Sequence, residues 1–364
     1  SDALHAESDL LQARILDLAG EEFNLASPKK LGEILFGKLG LPSDKKRGTD
    51  ADKLGELAAN GSEIARLLLS WRTLTKLTGT YTDALPKAIA SDGRVHTTYL
   101  QTSTNTGRLS SVNPNLQNIP IRSEEGGKIR KCFVAPAGSK LITADYSQMQ
   151  LRLLADIAGV QKLRAAFDHG IDIHDLTARN IFSIPTSEPV PKDKRRAAKI
   201  VNFSIVFGVS AYGLAAQLGI NRASADQIIK NYLSGFPEIG DYMERTKQFA
   251  EQHGFVETPM GRRIAIDGFN NPRMKSYAIR AAINAPIQGF EADIMRIAMA
   301  RLGIDPGFAP DCRMIMQVHD EFVFECPDSS AEAEARRIKN TMENIVSLSV
   351  PLVADYSISD AWEK

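Results

Sequence analysis

Leu141-Ile142-Thr143-Ala144-Asp145-Tyr146-Ser147-Gln148-Met149-Gln150-Leu151-Arg152 is the stretch around which the fold is organised. It opens as a short apolar run, places one carboxylate, Asp145, where that run ends, and continues in a helix-like pattern. An acid at the end of a buried strand, just before a helix, is held on rigid elements and still reaches a cleft. Because a lone acid in this place is also a common helix N-cap, a catalytic role requires a second acid elsewhere.

The second acid lies far downstream, within residues 314–325. Apolar runs on both sides of His319 and Asp320 predict a hairpin whose tight turn carries these two residues. Carboxylates on adjacent strand ends could hold two divalent cations, about 4 Å apart, that clamp the attacking and leaving oxygens of a phosphoryl displacement. Oxygen-only ligands favour magnesium. Taken alone, the pattern favours the plainer interpretation of a hairpin with an ordinary Asx turn.

A third element, residues 194–208, lies between the two acids. Arg195, Lys199, Phe203 and Phe207 recur at four-residue steps and therefore share one slowly drifting helical face. Two cations followed by two aromatic rings suit a ligand with phosphates at one end and a flat base at the other. A surface helix with a solvated basic end and a buried apolar end gives the same pattern. The ordered set of three elements is more specific than any one of them.

Together these residues resemble the family A DNA polymerases, which include bacterial DNA polymerase I. The three elements match the family's first palm motif, its fingers-helix motif and its second palm motif. The matching residues are Asp145-Tyr146-Ser147-Gln148 with Leu151-Arg152, Arg195 to Lys199 with Asn202-Phe203 and Gly208, and Val318-His319-Asp320-Glu321. Further matches are residues 106–111 and 114–120, and Asn284, Pro286, Gln288, Gly289, Ala292 and Asp293. The resemblance runs from about Leu11 to the C-terminus and concerns the polymerase domain only.

The resemblance implies an α+β fold, a right hand with an antiparallel palm sheet, helical fingers and a helical thumb. It implies a shortened thumb at residues 1–90, palm at 91–160, fingers at 161–275 and the second part of the palm at 276–364. The residue pattern itself predicts helices up to about Leu85 and a hairpin around residues 255–266. It also predicts a long helix from about Ser276 to Leu302, which Pro286 should disturb locally.

The resemblance further implies a template-directed DNA polymerase, a nucleotidyltransferase. The primer 3′-hydroxyl would attack the α-phosphate of a deoxynucleoside triphosphate and release pyrophosphate. Asp145, Asp320 and the main-chain carbonyl of Tyr146 would bind two Mg²⁺ ions, with Mn²⁺ as an alternative. Lys199 and Glu321 are the other catalytic candidates, Glu321 as a secondary contributor.

Binding residues also follow from the resemblance. Those implied for the nucleotide are Arg195, Lys199, Phe203, Phe207, Gln148, Gln150 and His174. Those implied for primer–template DNA are Arg108, Asn115, Gln117, Asn284, Gln288, His319, Lys45, Lys46 and Arg47. From the residues alone, the basic loop at 45–47 fits a solvated surface loop nearly as well, and His174 fits a structural role.

Three positions depart from the family pattern: Gln150 replaces a glutamate, Phe207 a tyrosine and Ser204 a glycine. The family's glutamate blocks the sugar 2′-position and hydrogen-bonds that tyrosine. We therefore expect Gln150 and Phe207 to work as a matched pair, and sugar selection is the property they put in question. Two alternatives follow, a catalytically attenuated primer–template-binding protein and a sugar-tolerant polymerase that uses ribonucleotides. A single-subunit RNA polymerase, which shares the palm, is a further rival.

Composition sets the remaining expectations. The 364 residues carry 44 basic and 44 acidic side chains, so DNA contacts must come from local patches rather than from net charge. Cys132, Cys312 and Cys326 are isolated, which indicates neither a disulfide framework nor a zinc site.

We expect a monomer with no membrane segment, in the bacterial cytoplasm at the nucleoid, encoded by a bacterium or a phage. The family's nuclease domains and first palm segment are not evident, so we expect no proofreading exonuclease. A separate chain or domain could supply the N-terminal segment.

Overall fold

The computed structural model describes residues 1–43, 48–121, 124–305 and 307–363. The chain divides into two compact units, the first made of residues 1–98 and 113–130 and the second of residues 99–112 and 131–364. Lys45, Lys46 and Arg47 lie outside the described residues, so their predicted DNA contacts stay a prediction.

The first unit is helical, as the sequence predicts. Its helices are α1 (Asp2–Ala19), α2 (Pro28–Gly32), α3 (Ala51–Ala59), α4 (Glu63–Leu77) and α5 (Glu124–Arg130), with π-helical turns at Glu33–Lys38 and Thr78–Thr82 and a 3₁₀ turn at Pro86–Ala88. Side-chain oxygens of Ser27, Asp50 and Ser62 accept the backbone N–H three residues on and so begin α2, α3 and α4. Buried apolar side chains, including Ile15, Leu31, Leu54 and Leu68, form the core of this unit.

The second unit combines strands and helices. Its strands are β1 (Thr98–Leu100), β2 (Ser110–Val112), β3 (Ser139–Tyr146), β4 (Phe255–Glu257), β5 (Arg263–Ala265), β6 (Arg313–Val318), β7 (Glu321–Pro327) and β8 (Ala354–Ser359). Its helices are α6 (Met149–Ile157), α7 (Gln161–Asp168), α8 (Ile173–Phe182), α9 (Lys192–Val206), α10 (Ala211–Leu218), α11 (Arg222–Gly235), α12 (Pro237–His253), α13 (Lys275–Gly303) and α14 (Ala331–Glu343). In the part of the chain with described coordinates, none of the helices is both long and apolar enough to cross a membrane.

A four-stranded antiparallel sheet with strand order β6-β7-β3-β8 forms the centre of this unit. Strands β6 and β7 are joined by the two residues His319 and Asp320, which confirms the predicted hairpin. Helix α14 packs against β3, β7 and β8, and α13 packs against α6 and α14. The predicted α+β class with an antiparallel palm-type sheet is therefore confirmed.

Helix α13 continues as one helix through Pro286, so the proline does not end it. The expected local disturbance of the backbone stays a prediction. A proline in a helix removes one backbone hydrogen bond. Residues on both sides of Pro286 are buried, among them Ile283, Ile287 and Phe290. Tertiary packing along a 29-residue helix outweighs the loss of one bond.

Candidate active site

Strand pairing brings the two predicted acids to one edge of the sheet. In the β3–β7 register Asp145 lies opposite Glu321, the residue that directly follows Asp320. The Tyr146 N–H donates to the Asp320 main-chain carbonyl at 3.2 Å, which ties the end of β3 to the hairpin loop. Asp145 and Asp320 are both partly exposed. The two carboxylates that are 175 positions apart in sequence thus lie on adjacent strand ends, as predicted.

Hydrogen bonds hold the hairpin loop in place. His319 has a left-handed backbone with φ 56°, the conformation that two-residue hairpin loops with primed turns require at their first position. The Gln317 Nε2 donates to the His319 carbonyl at 2.6 Å. The Tyr99 hydroxyl donates to the Gln317 carbonyl at 2.9 Å and accepts from the Gln317 N–H at 3.0 Å. The loop that carries Asp320 is therefore held by hydrogen bonds of Gln317, on the strand that leads into it.

Glu321 and Tyr146 are anchored away from solvent. The Glu321 carboxylate is buried and accepts a hydrogen bond from Trp362 Nε1 at 2.8 Å. The Tyr146 hydroxyl donates to the Met342 carbonyl of α14 at 2.9 Å, and burial raises the pKa of this phenol. These contacts hold both side chains within the fold. Glu321 therefore fits a supporting role at the site better than direct participation in the reaction.

Asp145 and Asp320 fit a magnesium site by donor type and placement. Both donors are carboxylates, held by paired strands at one sheet edge. Within residues 1–43, 48–121, 124–305 and 307–363, no group of three or more His, Cys, Asp or Glu side chains could hold a metal ion. Magnesium binds through one or two carboxylates together with waters and substrate phosphates rather than in a closed protein cage.

Helix α9 carries the predicted phosphate-binding face. Arg195, Lys199 and Phe203 lie on successive turns, and Phe207 follows as the C-terminal cap. Arg195 pairs with Asp172 at 2.5 Å and with Asp175 at 3.1 Å. The hydrogen bond that Arg195 donates to the Asp172 carboxylate raises the pKa of Arg195. Lys199 is exposed. Cation, cation and ring thus follow one another along one face, as the four-residue spacing predicts.

His174 lies against this face and is oriented by Asn202 and Thr177, to which the sequence analysis gives no role at the site. The Asn202 Nδ2 lies 3.0 Å from His174 Nδ1, and Thr177 Oγ1 donates to Asn202 Oδ1 at 3.0 Å. An amide that donates to Nδ1 leaves the ring proton on Nε2. Burial lowers the pKa of His174, whose ring centroid lies 6.2 Å from that of Phe203. A neutral ring with an Nε2–H donor results.

A cavity of about 420 Å³ opens beside Phe207. Its lining residues are Phe203, Ser204, Phe207, Val209, Ser210, Gln217 and Arg280. The Ser204 hydroxyl, one of the three departures from the family pattern, donates to Gln217 Oε1 of α10 at 2.5 Å. The volume falls in the range of small-ligand sites.

Gln150 and Arg108 meet on a buried carboxylate that the sequence did not single out. Gln150 Nε2 donates to Glu291 Oε2 at 2.8 Å, and Arg108 Nη2 lies 2.6 Å from Glu291 Oε1. Asn284, Gln288 and Glu291 stand at i, i+4 and i+7 of α13 and so share one face. The structure therefore brings predicted primer residues and the predicted sugar-facing residue together. No local pattern distinguishes Glu291 in the sequence, because Gln288 and Asp293 are polar neighbours in the same part of the helix.

Two predicted DNA-binding residues belong to the first unit. Asn115 Oδ1 accepts the Gln117 N–H at 3.0 Å, which forms an Asx turn. Asn115 is half-buried and Gln117 is buried. The assignment of both to DNA stays a prediction.

Unsatisfied polar atoms mark several predicted binding residues. Within the described part of the chain, Arg108 Nε, Gln148 Oε1 and Asn284 Oδ1 are buried and lack a hydrogen-bond partner. Buried polar atoms are nearly always paired, so unpaired ones need an explanation such as a ligand or water. All three belong to residues that the resemblance assigns to nucleotide or primer–template.

Comparisons with known proteins identify the family to which the chain is similar. The model of the family described as "DNA polymerase family A" matches residues 1–364. DNA polymerase I of Rhizobium leguminosarum is 47% identical over 97% of this chain and 36% of its own length. DNA polymerase I of Pseudomonas aeruginosa is 44% identical over 97% of this chain and 40% of its own length. A solved structure, the POL domain of Pol1 from M. smegmatis in complex with DNA primer-template and dNTP, is similar with a TM-score of 0.92 at 37% identity. That match covers 99% of this chain and 65% of the other, and the chain spans well under half the length of both polymerase I relatives.

Proposed function

The chain belongs to DNA polymerase family A, and on that basis we propose that it extends a primer 3′-hydroxyl by template-directed addition of deoxynucleotides. One observation carries the proposal: the β3–β7 register sets Asp145 beside the Asp320 loop at one sheet edge. The similar M. smegmatis domain, which was solved with primer-template and dNTP, supports the same assignment.

Asp145 and Asp320, with the Tyr146 carbonyl, are the residues that would hold two magnesium ions. When bound, the ions would supply positive charge that lowers the pKa of the primer hydroxyl and neutralises the triphosphate. The chain's own contribution is to fix two carboxylates on paired strands, with Glu321 anchored behind them by Trp362. Rigid placement of this kind spares reorganisation during the reaction.

The face of α9 holds the nucleotide. Arg195 exchanges its Asp172 and Asp175 partners for phosphate oxygens, and Lys199 adds a point charge one turn further on. His174 donates its Nε2–H toward the same phosphates. Phe203 packs on the incoming base and Phe207, at the wall of the cavity, packs near the templating base.

Primer and template bind along α13 and the loops beside it. Arg108, Asn284, Gln288 and His319 contact the primer terminus and the minor groove, whose acceptors are largely independent of sequence. Asn115, Gln117, Lys45, Lys46 and Arg47 are proposed as further DNA contacts. Residues 1–90 act as thumb, 161–275 as fingers, and 91–160 with 276–364 as palm.

We propose that the enzyme works as a monomer in the bacterial cytoplasm, at the nucleoid. The relatives named above are bacterial proteins, which supports a bacterial source. The absence of a proofreading exonuclease stays a prediction. A sugar-tolerant polymerase is the second candidate, because the Gln150 amide is bound to a carboxylate rather than to an aromatic hydroxyl.

One primer-extension assay separates the candidates. The chain is incubated with a labelled primer–template, magnesium and either deoxy- or ribonucleotides. Extension with deoxynucleotides that follows the template supports the proposal. Binding without extension identifies an attenuated DNA-binding protein, equal extension with both sugars a sugar-tolerant polymerase, and a preference for ribonucleotides an RNA polymerase.

A further inference from the structure

The carboxylate of Glu291 bridges two side chains that come from different parts of the second unit. Its Oε1 pairs with Arg108 Nη2 at 2.6 Å and its Oε2 accepts from Gln150 Nε2 at 2.8 Å. The Glu291 side chain is only 3% exposed, whereas Arg108 is 28% exposed. The Glu291 end of the bridge is therefore deeply buried, and the Arg108 end faces the proposed active site.

Burying a carboxylate is costly unless it is paired and hydrogen-bonded. An apolar side chain would fill the same place in α13 without that cost. Glu291 also determines what position 150 can be, because its oxygen needs a donor and an amide supplies one. A second carboxylate at position 150 would lie within hydrogen-bonding distance of the first and repel it. The neutral Gln150 side chain is therefore compatible with the negative charge of Glu291, whereas a glutamate at position 150 would not be.

We propose that Glu291 is a positioning residue that fixes Gln150 and Arg108 as one unit and thereby sets the discrimination between deoxy- and ribonucleotides. The inference rests on the proposed polymerase function, in which Gln150 faces the sugar and Arg108 the primer terminus. With its nitrogen bound to Glu291, the Gln150 amide cannot rotate freely. Its carbonyl oxygen consequently has one fixed direction relative to the incoming sugar.

The chemistry of the bridge predicts which changes break it. In Glu291→Gln the new amide oxygen accepts from Arg108 and its NH2 group faces Gln150, so the Gln150 amide must turn by about 180° to accept through Oε1. The charge-assisted hydrogen bonds are lost, and the carbonyl oxygen of Gln150 changes direction. In Gln150→Glu two carboxylates face each other. In the exchange variant Gln150→Glu/Glu291→Gln, the new amide accepts from Arg108 and donates to the new carboxylate. All three groups are satisfied again, with the direction of one hydrogen bond reversed.

The test compares kcat/KM for a deoxynucleotide with that for the matching ribonucleotide in primer extension. We expect each single variant to change this ratio by roughly tenfold to a hundredfold, the usual effect of losing a hydrogen bond to a charged group. The exchange variant should return the ratio to within about threefold of the wild type. Glu334→Gln is the matched control, since Glu334 is also buried and pairs with an arginine, Arg337, at 3.4 Å. It should leave the ratio unchanged.

The outcomes separate the inference from the function on which it rests. A wild-type chain that extends no primer overturns the proposed function and the inference with it. A wild-type chain that extends, with an unchanged ratio in Glu291→Gln, makes Glu291 a structural residue and overturns the inference alone. Additive effects in the exchange variant do the same. Should Glu291→Gln fail to fold, Glu291→Asp keeps the charge but is too short to reach both partners, and the same ratio decides.

Discussion

At the scale of single residues, Arg195 is a cation whose guanidinium is shared between Asp172 and Asp175. Phosphate oxygens are the same kind of partner, so a triphosphate can exchange with these carboxylates without leaving Arg195 unpaired. Lys199 lies one turn further along α9. Both cations are therefore expected to matter for nucleotide binding more than for duplex binding.

Removing either cation tests this expectation. We predict that Arg195→Ala and Lys199→Ala each weaken nucleotide affinity by about tenfold to a hundredfold, because each loses a charge-assisted hydrogen bond. Pre-steady-state titration of the nucleotide measures the affinity, and fluorescence anisotropy of a labelled duplex measures DNA binding, which should change little. Arg196→Ala, at the next position but on another face of the helix, is the control. Unchanged nucleotide affinity and rate would reduce these residues to ordinary surface charge.

His174 makes a prediction about pH. Burial lowers its pKa below the ordinary 6.5, so the folded protein holds this proton less tightly than the unfolded chain. The stability that the neutral ring contributes is complete above pH 6.5 and is lost as the pH falls toward the folded pKa. We therefore expect the wild type to lose more unfolding free energy between pH 7.5 and 5.0 than His174→Gln, as measured by urea denaturation.

The control for this comparison is the same pair of proteins between pH 7.5 and 9.0, above the ordinary pKa of His174, where their stabilities should change alike. Equal losses in the wild type and in His174→Gln would show that His174 has the same pKa in the folded protein and in the unfolded chain, which would contradict the prediction.

Single residues also show where sequence reasoning stops. Asp145, Asp320, Arg195 and Lys199 could be selected because they stand at strand ends or at helical spacing. Glu291 could not, because its partners are 141 and 183 positions away and only the packing of α13 joins them. The pairing of Gln150 with Phe207 stays a prediction. Gln150 also donates a hydrogen bond to Glu291, so Phe207 is not the only residue that bears on its orientation.

At the scale of elements, helices α9 and α10 are joined by the bond from Ser204 to Gln217. We predict that Ser204→Ala and Gln217→Ala each lower the free energy of unfolding by about 0.5–1.5 kcal/mol, the net worth of an ordinary hydrogen bond. The double variant should cost little more than either single one. Urea denaturation of the four proteins gives the coupling energy, and strict additivity would mean that the two helices are not joined in this way.

Helix α13 approaches the β4–β5 ribbon so closely that Gly289 has no room for a side chain. A Cβ there would lie 2.7 Å from atoms of Thr258 and Ile264, both buried. We predict that Gly289→Ala lowers the free energy of unfolding by about 1–2 kcal/mol, because overpacking outweighs the gain in helix propensity. Gly303→Ala, in the same helix with nothing within 4 Å, should instead be neutral or stabilising. Urea denaturation of both variants checks this, and a stabilising Gly289→Ala would contradict the close approach.

Local patterns predict elements well in this chain. The hairpin around His319, helix α9 and the long helix α13 all follow from apolar spacing and turn residues. The continuity of α13 through Pro286 does not follow, because it depends on burial against elements distant in sequence. Strand order β6-β7-β3-β8 likewise needs contacts between β3 and β7 that no local pattern specifies.

At the scale of the whole molecule, 44 basic and 44 acidic side chains leave no net charge to attract DNA. Affinity for a duplex must then come from local patches of lysine and arginine side chains. We propose that Asp145 and Asp320, at the ends of the paired strands, hold the metal ions and that other side chains supply the affinity for DNA. Chemistry and affinity should therefore be separable by mutation, and this separation is the central claim of the proposed function.

Single-turnover primer extension with Asp145→Asn and Asp320→Asn tests that claim most directly. We predict that each variant loses at least about a hundredfold in rate with magnesium, since each loses charge at the site where charge develops, while its affinity for primer–template stays within about threefold of the wild type. Asp328→Asn, an exposed aspartate just beyond the other end of β7, should retain the wild-type rate. Near-normal extension by either Asp145→Asn or Asp320→Asn would contradict the assignment of these acids.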